Sequence, residues 1–218
     1  MAGANKGSFL RCQNTALRNG IKSKKMSRAD ILEAIKKNKP QSLSLPDLSV
    51  FQHEISPEIL VADFIKTSTG NMSNVVDLTT SEVDLSVFLE EFIAENFPKA
   101  TKFYDTRSSG KEIPENVDFQ ENIDLFIAEP KLGVAENGCL WLDEGILKHR
   151  VAPFACQHTL MVIDHHNIVP TMHQAYQILN INETGYGVFI AGPSKTADIE
   201  QSLVIGAQGA VSNTVILI

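Results

Sequence analysis

The stretch Gly187-Val188-Phe189-Ile190-Ala191-Gly192-Pro193-Ser194-Lys195-Thr196-Ala197-Asp198-Ile199-Glu200-Gln201-Ser202-Leu203-Val204-Ile205 decides how this chain is read. Residues 188–191 are a short apolar run of the buried-strand kind, and Gly192-Pro193 interrupts it. Thr196 stands where it can cap a helix over 197–205 whose first turn carries Asp198 and Glu200. A strand ending against a helix start leaves amide N–H groups and a partial positive charge aimed at one spot, which suits a phosphate or carboxylate. Lys195 adds a full charge there. The same residues also read as plain punctuation, with Ser194, Thr196 and Asp198 satisfying a helix end and Gly192-Pro193 turning the chain.

On either side of this stretch, strand and helix patterns alternate. Leu85, Phe88, Leu89, Phe92, Ile93 and Phe97 form a stripe at helical spacing and predict a core helix. Ser56-Pro57 opens another, through Ile59, Leu60, Phe64 and Ile65, and a third is predicted over 170–179. Strands are predicted over 74–78, 101–104, 123–128, 140–142, 158–163, 188–191 and 214–218, with a polar loop over 107–119. The alternation predicts an α/β fold with a mainly parallel sheet covered on both faces, its last apolar run paired inside that sheet.

The chain of 218 residues is 43% hydrophobic and 21% charged, the balance of one main globular domain. Its formal charge of −7 hides an asymmetry, because residues 1–29 hold seven basic groups and no acid. The remainder carries 12 basic against 26 acidic residues, a poor surface for nucleic acid or anionic lipid. No apolar run reaches the ~18 residues that a membrane span needs. Cys12, Cys139 and Cys156 are odd in number and lack CxxC spacing, which reads as reduced thiols in a cytoplasmic protein rather than a disulfide frame, a zinc site or an iron–sulfur cluster. Three domain segments are expected. Residues 1–26 are a basic extension, read as a non-native start, a disordered native tail or a targeting leader; residues 27–69 are an N-terminal helical arm; residues 70–218 are the α/β domain. Ser27 with Asp30 forms the capping-box pattern that begins the arm.

The run Gly192-Pro193-Ser194-Lys195-Thr196-Ala197-Asp198-Ile199-Glu200, followed by Gly206, Gly209 and a last apolar strand, resembles the LUD domain of the lactate-utilisation protein C family. Gly133-Val134-Ala135-Glu136-Asn137-Gly138, then Arg150, Pro153 and His158 before 160–163, stand in the order that family shows. The resemblance covers roughly residues 70–218. It implies a three-layer αβα fold similar to the NagB/RpiA/CoA-transferase superfamily. It also implies a redox-inactive member of a cytoplasmic system in which two iron–sulfur partner proteins hold the clusters and L-lactate is oxidised to pyruvate, with no cofactor in this chain. A small anionic metabolite would then meet Gly192, Pro193, Ser194, Lys195, Thr196, Asp198, Gln208 and Gly209. Two departures stand out: Lys195 replaces the family's usual Arg, and Gln208-Gly209-Ala210 replaces its usual His-Gly-Pro.

Rival readings stay open. Ala135-Glu136-Asn137-Gly138 resembles the CoA-transferase turn whose Glu attacks an acyl-CoA, which would make the chain an acyl- or CoA-transferring enzyme contacting ligand through Glu136, Asn137 and Gly138. Asn-Gly is equally a tight hairpin signal. A non-catalytic scaffold with a decayed pocket is a third reading, which Gln208 would allow. Asp164-His165-His166 imitates a phosphoesterase metal motif, but the upstream Asp-x-Asp and a downstream Gly/His-rich run are missing, so no metal is expected there. No Ser or Cys stands in a nucleophile-elbow pattern, and no Gly-x-Gly-x-x-Gly supports a dinucleotide.

Overall fold

In the computed structural model the described residues are 27–41, 43–44, 46–47, 49, 55–107, 123–180, 185–196 and 203–218. Their strands are β1 (Asn74–Asp77), β2 (Phe103–Asp105), β3 (Ile123–Ala128), β4 (Leu132–Val134), β5 (Cys139–Asp143), β6 (Cys156–Ile163), β7 (Ile168–Val169), β8 (Gly187–Ile190), β9 (Lys195–Thr196), β10 (Val204–Ile205) and β11 (Ser212–Leu217). The helices are α1 (Arg28–Lys37), α2 (Pro57–Gly70), α3 (Leu85–Asn96) and α4 (Met172–Ile178). None is long and apolar enough to cross a membrane.

Side-chain alternation along three neighbouring strands sets the architecture. Phe126 and Ala128 of β3, Met161 and Ile163 of β6, and Val215 and Leu217 of β11 share one apolar cluster; Leu125, Ile127, Leu160, Val162 and Ile216 share another. Both faces of the sheet are therefore buried. The sheet is parallel throughout, in the order β1-β11-β6-β3-β2. Its last strand in sequence, β11, lies between β1 and β6, inside the sheet as expected. Helix α3 covers one face with Phe88, Leu89, Phe92 and Ile93, the stripe read from sequence. Helix α2 lays Phe64 on the other.

The mostly parallel sheet flanked by helices is the expected α/β fold. A second sheet, in the order β7-β4-β5-β8, completes the layer beside α2. Leu140 and Leu142 face the main core, while Leu132, Val134, Cys139 and Trp141 face α4 at Ala175. The strand β4 has only three residues and no alternation to betray it, so periodicity alone does not find it. The Asn137-Gly138 signal does mark a hairpin, since Val134 pairs with Cys139 across it.

The chain divides into two compact units, Met1–Pro46 and Asp47–Ile218. In the first, Ser27 and Asp30 cap α1 reciprocally, as the capping-box pattern requires. Of the arm expected over 27–69, α1 lies in this unit and α2 in the second. The leader 1–26 and residues 108–119 of the polar loop expected over 107–119 lie outside the described residues.

Phe126 is fully buried and stacks on Tyr104 with ring centroids 5.8 Å apart. Phe126→Ala is expected to lower the unfolding free energy in urea by about 3–5 kcal/mol. A loss below about 1 kcal/mol would mean that this packing is not the core described.

Candidate functional site

The hinge of the sequence reading takes a different local form. Lys195 and Thr196 are strand β9, and they pair antiparallel with Ile205 and Val204 of β10. The helix expected over 197–205 is thus wrong at its described end, and Thr196 is a strand residue rather than a helix cap. The β-branched Thr196, Val204 and Ile205 favour extended pairing, and a Ser/Thr/Asp run serves a turn as readily as a helix start. Asp198 and Glu200 lie outside the described residues.

Two amides of this corner, those of Ser194 and Gly206, are already engaged. The Ser194 N–H donates to the Ala210 carbonyl (2.8 Å), and the Gly206 N–H donates to Ser194 (2.9 Å). These bonds join the turn after β8 to the turn before β11 and leave a cavity of about 290 Å3 between them. Gly192, Pro193, Ser194, Lys195, Gln208 and Gly209, six of the residues singled out from sequence, all line it. Thr159, Phe154 and Phe189 line it too, and nothing in the sequence marked them. Among the described residues Lys195 is the charged residue of the lining, so its side chain makes the cavity favour negative charge. It sits at the amino ends of β6 and β11, opposite the end of a parallel sheet where ligands usually gather.

The cavity rests on the turn that follows α2. Lys195 Nζ donates to the Asn71 carbonyl (2.8 Å), at a helix end with no basic residue in its last turn. A cation at a helix C-terminus is favourable, so α2 draws on Lys195 for this role. Gly192 has φ +75°, and a Cβ there would stand 2.2 Å from the Asn71 oxygen. Beneath the lining, the Thr159 hydroxyl donates to Asn213 Oδ1 (2.7 Å) and Asn213 Nδ2 donates to Ser73 Oγ (2.8 Å). All three residues are buried, and each depends on the others to avoid an unpaired polar atom.

The hairpin 135–138 lies elsewhere. Asn71 Nδ2 donates to the Asn137 carbonyl (2.6 Å), while Asn137 Oδ1 accepts the Cys139 N–H (3.2 Å). Gly138 has φ +64°, and a Cβ there would meet the Ser68 amide nitrogen at 2.6 Å. Glu136 Oε1 accepts the Met172 N–H (3.0 Å) at the start of α4 and lines a separate cavity of about 250 Å3 with Asp63, Lys66 and Thr171. Glu136, Asn137 and Gly138 therefore do not join the Ser194–Lys195 cavity, and Asn71 is the residue that touches both turns. The buried Cys139 and Cys156 thiols are pushed up to about 12 by desolvation, which keeps them protonated. Cys12 lies outside the described residues.

A third cavity, of about 180 Å3, is lined by Phe97, Lys99, Asp124 and His158. The ring of His158 lies 5.1 Å from that of Phe97, and Nδ1 is 2.7 Å from Ser212 Oγ. Burial lowers the imidazole below its ordinary 6.5, with Asp124 opposing the shift.

Gly192→Ala is expected to cost about 2 kcal/mol or more in urea unfolding, since both the backbone conformation and the Asn71 contact oppose a Cβ. A change under about 0.5 kcal/mol would sink this picture of the turn. For His158, the unfolded chain binds the proton more readily than the folded one. Its contribution is complete above pH 6.5 and is lost as the pH falls from there through the lower folded value. Thermal melts of wild type and His158→Gln over this window should show a steeper acid-side fall in the wild type; parallel curves would refute the assignment.

The LUD domain family model matches residues 19–218. Lactate utilization protein C of Geobacillus sp. (strain WCH70) is 33% identical over 109 residues, 47% of this chain and 45% of that protein. Lactate utilization protein C 1 of Bacillus mycoides (strain KBAB4) is 29% identical over 110 residues, 48% of this chain and 47% of that protein. The match thus spans about half the length of these two relatives. Lactate utilization protein C of Oceanobacillus iheyensis is 24% identical over 181 residues, 74% of this chain and 76% of that protein. The crystal structure of a DUF162 family protein from Deinococcus radiodurans has a TM-score of 0.55 at 13% identity, over 75% of this chain and 99% of that one, a likeness of fold. With the family model matching nearly the whole length, the chain belongs to the LUD domain family.

Proposed function

We propose that this chain acts as a lactate-utilisation protein C-like member of an L-lactate oxidation system. It binds a small anionic metabolite in the Ser194–Lys195 cavity, and iron–sulfur partner proteins carry the electrons. The observation that carries the reading is the cavity of about 290 Å3 whose lining pairs the Lys195 ammonium with Ser194, Thr159 and Gln208. An ammonium has three N–H donors, and Asn71 takes one of them. The others are the natural partners of a carboxylate or phosphate, with the Ser194 hydroxyl beside them. Buried, protonated thiols at Cys139 and Cys156 suit a member that leaves electron transfer to its partners. The relatives' shared name supports the pathway, and the absence of a membrane-crossing helix among the described residues is compatible with work in the cytoplasm.

Glu136 supports a second reading, acyl or CoA transfer, because its carboxylate borders a surface cavity of its own. As a nucleophile it would have to release the Met172 amide that it now holds.

One set of measurements separates these. Calorimetric titration with L-lactate, pyruvate and inorganic phosphate should detect binding of at least one, weakened tenfold or more by Ser194→Ala and by Lys195→Ala, about 1.4 kcal/mol each. Glu136→Gln should leave it unchanged. No binding at ~10 mM of any of the three would overturn the anion reading. A hydroxylamine-sensitive CoA adduct on Glu136 would replace it with the transferase reading.

A further inference from the structure

The residues at the far end of β6, opposite the Ser194–Lys195 cavity, hold donors at the spacing of a metal site. We propose that Asp164, His165, His166 and the main-chain oxygen of Ile218 bind one zinc-class divalent cation. His165 Nδ1 lies 2.7 Å from the Ile218 oxygen and 3.7 Å from Asp164 Oδ1, and His166 Nδ1 lies 2.8 Å from the same carboxylate oxygen. One ligand atom from each of the three side chains falls within 4.8 Å of the others. Donors about 2.1 Å from a shared ion stand roughly 3.4 Å apart in a tetrahedron, so the hydrogen-bonded pairs at 2.7 and 2.8 Å open by about 0.6 Å when an ion enters.

Local structure holds the set in place. Asp164 Oδ1 also accepts the His166 N–H (2.8 Å), and the Ile218 oxygen also accepts the His165 N–H (2.9 Å). The carboxylate and the carbonyl are thus fixed by main-chain bonds before any ion arrives. Both imidazole rings, 3.9 Å apart, turn Nδ1 inward. Each Nδ1 donates to an oxygen that only accepts, so a cation enters the set when the ring protons move to Nε2.

The chemistry of the set selects the ion. Two imidazoles with one carboxylate and one carbonyl favour zinc, cobalt(II) or nickel(II) over magnesium or calcium, which prefer oxygen alone. The position fits a ligand as well, because carboxyl ends of parallel strands are where α/β sheets gather them. The next residue, Asn167, lines a cavity of about 620 Å3 with Arg107, Glu129 and Lys131. The proposal does not depend on the anion cavity, which shares none of these residues.

Titration of the metal-stripped full chain with Zn2+ should give one site per chain, and Co2+ should give visible bands of nitrogen ligation. His166→Gln, at a side chain 76% exposed and so tolerant of change, and Asp164→Asn should each weaken Zn2+ binding at least tenfold. His173→Gln on α4 should not weaken it. No stoichiometric uptake at ~100 μM Zn2+ would overturn the proposal, and so would uptake that persists in the Asp164→Asn, His166→Gln double variant.

Discussion

The turn that closes α2 carries constraints from every direction. Asn71 offers its side-chain amide to the 135–138 hairpin, and its one backbone oxygen both accepts from Lys195 and forms the wall against which Gly192 must lack a side chain. Met72 follows at φ 71°, an uncommon conformation for a residue with a side chain, and turns the chain so that Ser73 meets Asn213. Strand β1 begins at the next residue, Asn74. A helix end, a hairpin, the candidate pocket and the floor of the main sheet thus share three consecutive residues. Displacement of any one of them would leave buried polar atoms unpaired in the other elements.

This sharing explains why the two motifs that looked reactive in sequence are both present yet do not form one site. Glycine at 138 lets the hairpin approach Ser68, and glycine at 192 lets the cavity turn approach Asn71. Each glycine is required by close approach to the same helix end. The Glu136 side chain, thrown to the other side of that hairpin, spends its carboxylate on the first amide of α4, where negative charge is favoured.

The main sheet was legible because its strands are long enough to alternate. Strand β3 was bounded correctly from its apolar run, and α3 from the spacing of Leu85, Phe88, Leu89, Phe92 and Ile93. The second sheet was less visible, since β4 and β7 have three and two residues and take their stability from neighbours rather than from local pattern. The lining of the cavity was half legible. Gly192–Lys195 and Gln208–Gly209 sit in turns whose composition announces them, whereas Thr159 reads as an ordinary strand residue until β11 brings Asn213 beside it. The helix expected over 197–205 fails at its described end, where Val204 and Ile205, β-branched residues, pair with Thr196 and Lys195 instead.

The Lys at position 195 acquires a physical rationale from this arrangement. A guanidinium satisfies a carboxylate through a planar fork and loses that advantage when part of the fork is diverted. An ammonium distributes three donors around a point charge, so it can serve a helix carbonyl on one side and a ligand on the other. Helix α2, with no basic residue in its last turn, makes the first demand permanent. A Lys with one N–H held by Asn71 is also fixed in position, which would lower the side-chain entropy lost in the anion binding proposed above. A Lys at this position thus gives up bidentate geometry for a cation that the fold itself holds in place.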